Sequence, residues 1–188
     1  MRKFLIVGLG NIGLKYQNTR HNVGFEIINC LAKKNKLSWE SKKLVQYSSI
    51  KIKGTQFILI KPSTFMNHSG KAVRYWALYK KIPLENILII TDELHLPFGT
   101  LRLRKSGSPA GHNGLKDIEA ELNSHNYARL RFGIGQEKKA FDQVKFVLDS
   151  WNQNEKKELP IRLEFFVNAI ISFGLEGVEN TMNKFNGK

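Results

Sequence analysis

Polar side chains suited to acid–base chemistry stand directly after the apolar runs of this sequence. Asp92 ends the run NILIITD, His21 lies in the loop that follows FLIVG, and His112 lies in the segment AGHNG. A buried carboxylate is costly unless a partner satisfies it, and a histidine beside it is held in one tautomer and supported as it gains a proton. Histidine has an ordinary pKa of about 6.5, so near neutral pH it is largely unprotonated yet able to accept a proton. We therefore expect a histidine next to Asp92 to act as a general base.

Asparagines accompany these residues at the same kind of position. Asn11 follows the first apolar run, Asn67 lies in STFMN, and Asn113 follows His112 in AGHNG. Neutral amide donors such as Asn67 and Asn113 can stabilise an oxyanion. The chemistry predicted from these residues is attack of water on a carbonyl.

Metal-dependent and covalent mechanisms have less support in the sequence. The histidines show no ligand pair at helical spacing, DELH is not an H-E-x-x-H motif, and the single cysteine, Cys30, makes no zinc cluster. No G-x-S-x-G motif occurs, and Cys30 stands in the core-like stretch FEIINCLAK. We expect no metal and no cofactor, with water as the nucleophile.

The first loop carries a G-x-G-x-x-G pattern at Gly8, Gly10 and Gly13. A dinucleotide site needs a helix directly after the third glycine and an acid roughly 20 residues further on. Here LKYQNTRHN follows Gly13, and Glu26 lies inside the next predicted helix. The glycines therefore predict a tight loop at the end of the first strand, where ligands bind in α/β folds. This position makes Asn11, Tyr16 and His21 candidate site residues.

Length and charge limit the classes of protein to consider. The chain has 188 residues, 41% of them hydrophobic, and 30 Lys and Arg against 16 Asp and Glu, a net charge of +14. We expect one domain over residues 1–188 with a field that attracts polyanions such as nucleic acid. A single cysteine favours a reducing compartment, and no apolar stretch is long enough for a signal peptide or a membrane span. The sequence predicts a cytoplasmic protein.

Hydrophobic periodicity predicts alternating strands and helices. Strands are expected at 4–7, at 45–52 and 56–60 as a hairpin turning at Gly54, in NILIITDEL, and in the half-buried runs GTLRLRK and ARLRFGIG. Helices are expected at about 23–34, at about 69–80 and from about 154 onward, the last started or interrupted by Pro160. These elements predict a single-domain α/β fold with a twisted mixed sheet flanked by helices.

Basic residues repeat with period two along two of the predicted strands. Arg102 and Arg104 share one face of the first, and Arg129 and Arg131 share one face of the second. Two such stripes on neighbouring strands, with Lys105 and Lys116 nearby, would form a phosphate-binding patch. The alternative is a solvated face of the sheet.

Six motifs of the chain resemble the bacterial peptidyl-tRNA hydrolases in order and spacing. They are VGLGNIG, TRHNVGF, KPSTFMNHSGKAV, DELHLPFGTLRLRKSG, GHNGLKDI and RLRFGIG, and they extend from Leu5 to about Gly135. The resemblance implies a compact monomer that cleaves the ester joining a peptide to the terminal ribose of tRNA, without metal or cofactor. The C-terminal third is similar only as a helical tail.

The resemblance also implies individual roles. The position of His21 is that of the general base, Asp92 keeps it basic, and Asn11 distinguishes blocked from free aminoacyl-tRNA. The positions that hold the peptide and the tRNA end are Tyr16, Phe65, Asn67 and Asn113, and the region that grips tRNA phosphates contains Arg104, Lys105 and Arg131.

The chain departs from the family pattern in two loops. Ile12 stands where the family usually has proline, and SGSPA replaces a glycine-rich run, with Pro109 fixing one backbone angle. Both departures concern loop motion. Two other classes remain to be distinguished: an RNA-binding module without turnover, and a nucleotide-dependent oxidoreductase.

Overall fold

A seven-stranded mixed sheet organises the chain in the computed structural model, which describes residues 1–135 and 142–188. Its strands are β1 (Lys3–Gly8), β2 (Glu40–Lys42), β3 (Val45–Ile52), β4 (Thr55–Pro62), β5 (Ile87–Pro97), β6 (Leu101–Arg104) and β7 (Ala128–Gly135). Their spatial order is β2-β3-β4-β1-β5-β7-β6. The pairs β1–β4, β1–β5 and β5–β7 are parallel, and the outer pairs are antiparallel. The expected α/β fold with a mixed sheet is confirmed.

Helices cover both faces of this sheet. They are α1 (Val23–Lys34), α2 (Ser69–Lys80), α3 (Asn113–Leu122), α4 (Gln143–Leu148), α5 (Gln153–Glu176) and α6 (Val178–Phe185), with short 3₁₀ turns at Leu14–Tyr16, Arg20–Asn22, Met66–His68 and Leu84–Asn86. The bounds of α1 and α2 are those predicted from periodicity. None of the described helices combines the length and apolarity needed to cross a membrane.

Alternate side chains of the inner strands pack into two separate hydrophobic cores, one on each face of the sheet. On β1, Phe4 and Ile6 join the core with α1 and α5, whereas Leu5 and Val7 join the core with α2 and α3. Side chains of a strand point alternately to the two faces, so a strand covered on both sides reads as one continuous apolar run. This explains why NILII, like FLIV, shows no alternation.

The helix α1 lies unusually close to the sheet because two glycines face each other. A Cβ on Gly24 would lie 2.5 Å from the backbone nitrogen of Leu9 and 2.6 Å from the carbonyl oxygen of Ile90. A Cβ on Gly8 would lie 2.3 Å from the carbonyl oxygen of Gly24. No other residue type fits this contact, which sets the helix just after His21 against the ends of β1 and β5.

Three expectations about elements were wrong or incomplete. The strand β7 is buried on both faces, because Arg129 is fully buried rather than exposed as its alternation predicted. Pro160 neither starts nor interrupts α5, which begins at a capping box of Asn152 and Glu155 and continues to Glu176. The short elements β2 and α4 have too few residues for periodicity to reveal them.

Candidate active site

The carboxyl ends of β1 and β5 open into a cavity of about 320 Å³. Its lining includes five of the predicted catalytic and substrate residues and one predicted phosphate ligand: Asn11, His21, Asn67, Asp92, Asn113 and Arg131. Parallel strands that end at the same edge bring these distant residues together, because ligand sites in such sheets form beyond the carboxyl ends.

His21 and Asp92 are in direct contact, as predicted. His21 lies on the 3₁₀ turn before α1, and its Nδ1 is 3.0 Å from both carboxylate oxygens of Asp92. Burial by itself lowers the pKa of His21, but the charge and hydrogen bond of Asp92 outweigh it, so the pKa is raised above 6.5. Burial raises the pKa of Asp92, but the two neighbouring histidines outweigh it and hold the pKa well below its usual range. Asp92 therefore stays ionised beside the imidazole.

The second histidine on Asp92 is His112, whose Nε2 lies 3.0 Å from Oδ1 of the carboxylate. His112 is the N-cap of α3, and its Nδ1 accepts a hydrogen bond from the backbone N–H of Leu115 at 3.3 Å. A neutral imidazole has one acceptor and one donor nitrogen. Because Nδ1 accepts, Nε2 carries the proton and donates to Asp92 and to the hydroxyl of Thr91, 2.5 Å away. The helix cap thus determines the tautomer of His112.

The same logic fixes the tautomer of His21. Its Nδ1 faces an ionised carboxylate and is therefore protonated, which leaves Nε2 as the basic nitrogen. Within residues 1–135 and 142–188, Nε2 of His21 has no hydrogen-bond partner. The side chain is 14% exposed and lines the cavity, so a water molecule can reach this nitrogen.

Asn11 is held so that its NH₂ group is the free one. Its Oδ1 accepts a hydrogen bond from the backbone N–H of Met66 at 2.7 Å. Its backbone N–H donates to Oδ1 of Asn22 at 2.8 Å, and Nδ2 of Asn22 donates back to the carbonyl of Asn11 at 2.9 Å. An amide whose oxygen is bound to a backbone N–H has its orientation determined, so Nδ2 of Asn11 is left to donate to a ligand.

The other predicted substrate residues divide into two groups. Asn67 and Asn113 are exposed and line the cavity, on the 3₁₀ turn after β4 and at the start of α3. Tyr16 and Phe65 do not line it; their rings meet edge to face, with centroids 6.3 Å apart, on the loops after β1 and β4. Phe65 is 49% exposed, so this pair forms a separate aromatic surface.

Of the predicted phosphate ligands, only Arg131 lines the cavity. It donates to Glu93 at 3.0 Å and to the carbonyl of Ser108 at 2.9 Å. Arg104 is exposed at the end of β6, and Lys105 is exposed with Glu179 3.8 Å away.

The two arginine stripes do lie side by side, but they are not equally accessible. Arg102 faces Arg131 and Arg104 faces Arg129 across the β6–β7 ladder. Arg129 lies over the ring of Tyr127, and its Nη2 donates to Glu119 at 2.8 Å. Because Arg129 is fully buried, it has no part in an exposed patch.

A metal could be considered at His21, Asp92 and His112, whose ligand atoms lie within 4.8 Å of one another. The cluster was not found from sequence because its members come from three separate segments rather than from one helix. However, Nε2 of His112 carries a proton as long as Nδ1 caps α3, so it has no lone pair to offer toward Asp92. The donor set therefore fits a hydrogen-bonded network better than a metal site.

Two contributors to the site were missed by sequence reasoning. Asn22 pairs with the backbone of Asn11, and Thr91 contacts His112. Each is adjacent in sequence to a predicted catalytic residue, which is the only signal that could have pointed to them.

Comparison with known proteins identifies the family. Residues 5–188 match the model of the peptidyl-tRNA hydrolase family. The match extends through α5 and α6, beyond the motifs that carried the resemblance in the sequence. The chain therefore belongs to the peptidyl-tRNA hydrolase family.

Individual relatives agree with this assignment. A protein of Bacteroides fragilis named peptidyl-tRNA hydrolase is 53% identical over 186 residues, which is 99% of this chain and 100% of the relative. One from Clostridium acetobutylicum is 43% identical over 185 residues, 98% of each chain. The crystal structure of peptidyl-tRNA hydrolase from Acinetobacter baumannii superposes with a TM-score of 0.90 at 33% identity, covering 98% of this chain and 94% of that one. The predicted enzyme class, a peptidyl-tRNA hydrolase, is confirmed.

Proposed function

We propose that this protein hydrolyses the ester between peptide and tRNA in peptidyl-tRNA by general-base activation of water, with His21 as the base and no metal. The observation that carries the proposal is the contact of His21 Nδ1 with both oxygens of Asp92, 3.0 Å away, at the wall of the cavity. It leaves the basic Nε2 of His21 directed to the place where a water and an ester carbonyl would meet.

The reaction then has a balanced proton path. Nε2 of His21 takes a proton from water as the water oxygen bonds to the ester carbonyl carbon. The imidazolium that forms is stabilised by ionised Asp92, which keeps its charge throughout. When the tetrahedral intermediate collapses, the C–O bond to the ribose breaks, and His21 returns the proton to the ribose oxygen. The products are a free peptide acid and tRNA.

The amides around the cavity donate hydrogen bonds to the substrate and to the charge that develops during the reaction. Asn67 and Asn113 present neutral donors to the oxyanion of the intermediate. The free NH₂ of Asn11 donates to the carbonyl that blocks the amino group of peptidyl-tRNA. A free aminoacyl-tRNA offers an ammonium group there, which is itself a donor and cannot accept this bond. Asn11 thereby selects the blocked substrate.

The remaining predicted residues bind the two ends of the substrate. Tyr16 and Phe65 form an aromatic surface for the peptide or the terminal nucleotide, and Arg104, Lys105 and Arg131 hold tRNA phosphates. We also propose that the protein works as a monomer in the cytoplasm. A net charge of +14 supports the tRNA assignment, because counterion release dominates binding to nucleic acid.

The decisive experiment compares N-acetyl-aminoacyl-tRNA with free aminoacyl-tRNA as substrates. We expect turnover of the acetylated form alone, unchanged by EDTA. His21→Ala should reduce kcat by about 10²–10⁴-fold, the usual worth of a general base. His125→Ala is the matched control, because His125 is exposed on the loop before β7. Binding of the acetylated substrate without hydrolysis by the unaltered protein would favour the second class, an RNA-binding module.

The phosphate ligands have their own test. Lys105→Gln should mainly raise KM and reduce the slope of log KM against log salt by up to about 0.9. An unchanged salt dependence would place the phosphate-binding residues elsewhere.

Asn11→Ala should relax the discrimination between blocked and free aminoacyl-tRNA. If the variant prefers the blocked substrate as strongly as the unaltered protein does, Asn11 has no selective role.

A further inference from the structure

A cluster of tyrosines and lysines covers α2 and the β2–β3 turn, outside the active-site cavity. We call Lys43, Tyr75, Tyr79 and Lys80 the tyrosine–lysine patch. We propose that this patch binds an unpaired RNA strand distinct from the acylated end that enters the cavity. The proposal goes beyond the hydrolytic function and does not depend on it.

The tyrosines form an accessible aromatic stack. Tyr75 and Tyr79 are four residues apart on α2, so they lie on one face of the helix. Their rings are within 13° of parallel, with centroids 5.7 Å apart. Tyr75 is half-buried and Tyr79 is 60% exposed. Tyr79 stacks on Tyr75 and meets Trp76 edge to face, yet its 60% exposure leaves much of the ring open to solvent, and a nucleobase can cover that exposed part.

Two lysines lie over the rings of this stack. Nζ of Lys43 lies 4.5 Å from the ring centroid of Tyr75, and Nζ of Lys80 lies 4.9 Å from that of Tyr79. Neither lysine forms an ion pair with any part of the chain that the structure describes. The neighbouring acid, Glu40, is engaged by Lys42 at 3.0 Å. Both ammonium groups are thus available to phosphates.

The patch is fixed in place before anything binds. Nε1 of Trp76 donates to the carbonyl of Lys43 at 2.9 Å, which fastens the β2–β3 turn to α2. Tyr47 of β3 stacks on Trp76 with centroids 5.1 Å apart. A rigid surface loses little entropy on binding, so its rings and charges contribute more fully to affinity.

Unpaired RNA fits this chemistry better than the other polyanions. Surfaces that bind single strands combine aromatic rings, on which bases stack, with cations that follow the backbone. In a double helix the base faces are hidden, so Tyr75 and Tyr79 would have nothing to stack on. A lipid surface calls for a wider apolar area than Leu78, the exposed apolar residue beside Tyr79 on α2.

The position of the patch keeps it clear of the substrate residues. The strands β2 and β3 form one edge of the sheet, the exposed Arg102 and Arg104 of β6 lie at the opposite edge, and the cavity lies between them. With about 4.8 Å between neighbouring strands, β3 and β6 are roughly 20–25 Å apart. The cavity is lined by Asn67, just before α2, whereas Tyr79 lies near the C-terminal end of that helix, about 15 Å away at 1.5 Å per residue, so the patch is distinct from the cavity.

Fluorescence anisotropy with a labelled 12-nucleotide oligouridylate tests the proposal. We expect Tyr79→Ala to weaken binding by about tenfold, the usual effect of removing one stacking ring. The double change Lys43→Gln and Lys80→Gln should lower the slope of log Kd against log salt by about 1.4, or about 0.7 per lysine for single strands. Lys51→Gln is the matched control, because Lys51 is exposed on β3 at the other end of the hairpin.

Two further measurements separate this proposal from the hydrolytic function. Tyr79→Ala should hydrolyse N-acetyl-aminoacyl-tRNA at the unaltered rate, and it should bind an acceptor-stem hairpin as before. Unchanged oligouridylate affinity in Tyr79→Ala would overturn the proposal. So would a loss confined to the hairpin, which would assign the patch to the substrate, or a loss confined to anionic vesicles.

Discussion

The Asp92 carboxylate is shared by two imidazoles with different tasks. His112 donates to it from a nitrogen whose proton is fixed by the cap of α3, and His21 donates to it from the nitrogen opposite its basic one. Both donors stabilise the ionised carboxylate. The more strongly His112 donates to Asp92, the less Asp92 stabilises the protonated form of His21. His112 therefore tempers the basicity that Asp92 confers.

The pH dependence of hydrolysis follows from the pKa of His21. Since its pKa is raised above 6.5, the basic form is lost as pH falls through that raised value. Asp92, with its pKa lowered, stays ionised across the same range. We expect kcat/KM for N-acetyl-aminoacyl-tRNA to rise with pH along a limb of unit slope centred above 6.5 and then to level off. A rate that is independent of pH from about 5.5 to 8.5 would rule out His21 as the base.

Replacing His112 with asparagine should move that limb. Asparagine keeps an N-cap for α3 but cannot donate to Asp92 as the imidazole does. Without this donor the carboxylate holds the proton on His21 more strongly, so the limb should move to higher pH. The pH profile of kcat/KM measures the shift. His112→Ala, which loses the cap as well, should also cost about 1 kcal/mol in unfolding free energy, and movement of the limb to lower pH in His112→Asn would contradict this account.

Sequence reasoning predicted that His21 and Asp92 lie together, but not how they are hydrogen-bonded to their neighbours. His21, Asp92 and Asn11 could be predicted because each follows an apolar run, and strand ends converge in an α/β sheet. The sharing of Asp92 with His112, and the fixed amide of Asn11, depend on side-chain directions in loops that no periodicity encodes.

A second group with a shifted pKa, Glu26, lies where α1 meets the start of α5, away from the cavity. Glu26 of α1 accepts a hydrogen bond from Nε1 of Trp151, the residue just before α5, at 3.0 Å. Burial raises the pKa of Glu26 to about 7, although the bond from Trp151 opposes this. The carboxyl group is therefore easily accommodated when neutral and costly when ionised.

Glu26→Gln should stabilise the protein in a pH-dependent way. Between the ordinary pKa of 4.5 and about 7, the folded protein holds a proton that the unfolded chain releases, so stability falls as pH rises through this window. Glutamine keeps an acceptor for Trp151 without the charge. We expect the variant to gain on the order of 1–3 kcal/mol above pH 7 and little near pH 4.5, measured by urea unfolding. Glu158→Gln, an exposed change on α5, is the control, and an equal gain at both pH values would refute the burial argument.

Strand and helix prediction succeeded where one periodicity prevailed and failed where pairing overrode it. The apolar spacing of α1 and α2 was sufficient to set their bounds. In β7 the alternation of arginines indicated an exposed face, but Arg129 is buried, with Nη2 paired to Glu119 and the guanidinium over the ring of Tyr127, while its Nε and Nη1 have no hydrogen-bond partner among the described residues. An ion pair between a strand and a helix leaves no mark on the alternation within the strand.

A buried ion pair joins two segments that are far apart in the sequence. Arg20 donates from Nε to Glu155 at 3.2 Å and from Nη2 at 2.9 Å, across 135 residues. Its guanidinium also lies 4.3 Å from the ring centroid of Phe146. Arg20 precedes His21 on the same 3₁₀ turn, so the C-terminal helices hold the segment that carries His21.

Arg20→Ala should be strongly destabilising. It leaves the carboxylate of Glu155 buried without its partner, which costs about 3–5 kcal/mol for pairs of this kind. Lys34→Ala breaks the exposed pair with Glu164 and should cost far less, because solvent screens that pair. Urea unfolding of the two variants measures both values. Equal effects would mean that the Arg20 pair contributes no more than a surface contact.

The length of chain between Arg20 and Glu155 also bears on how this protein is made. A ribosome synthesises residue 155 long after residues 20 and 21. Until then the guanidinium of Arg20 cannot pair with the carboxylate of Glu155, and this pair does not yet hold the 3₁₀ turn that carries His21. The segment that carries His21 thus gains this ion pair only after residue 155 has been synthesised.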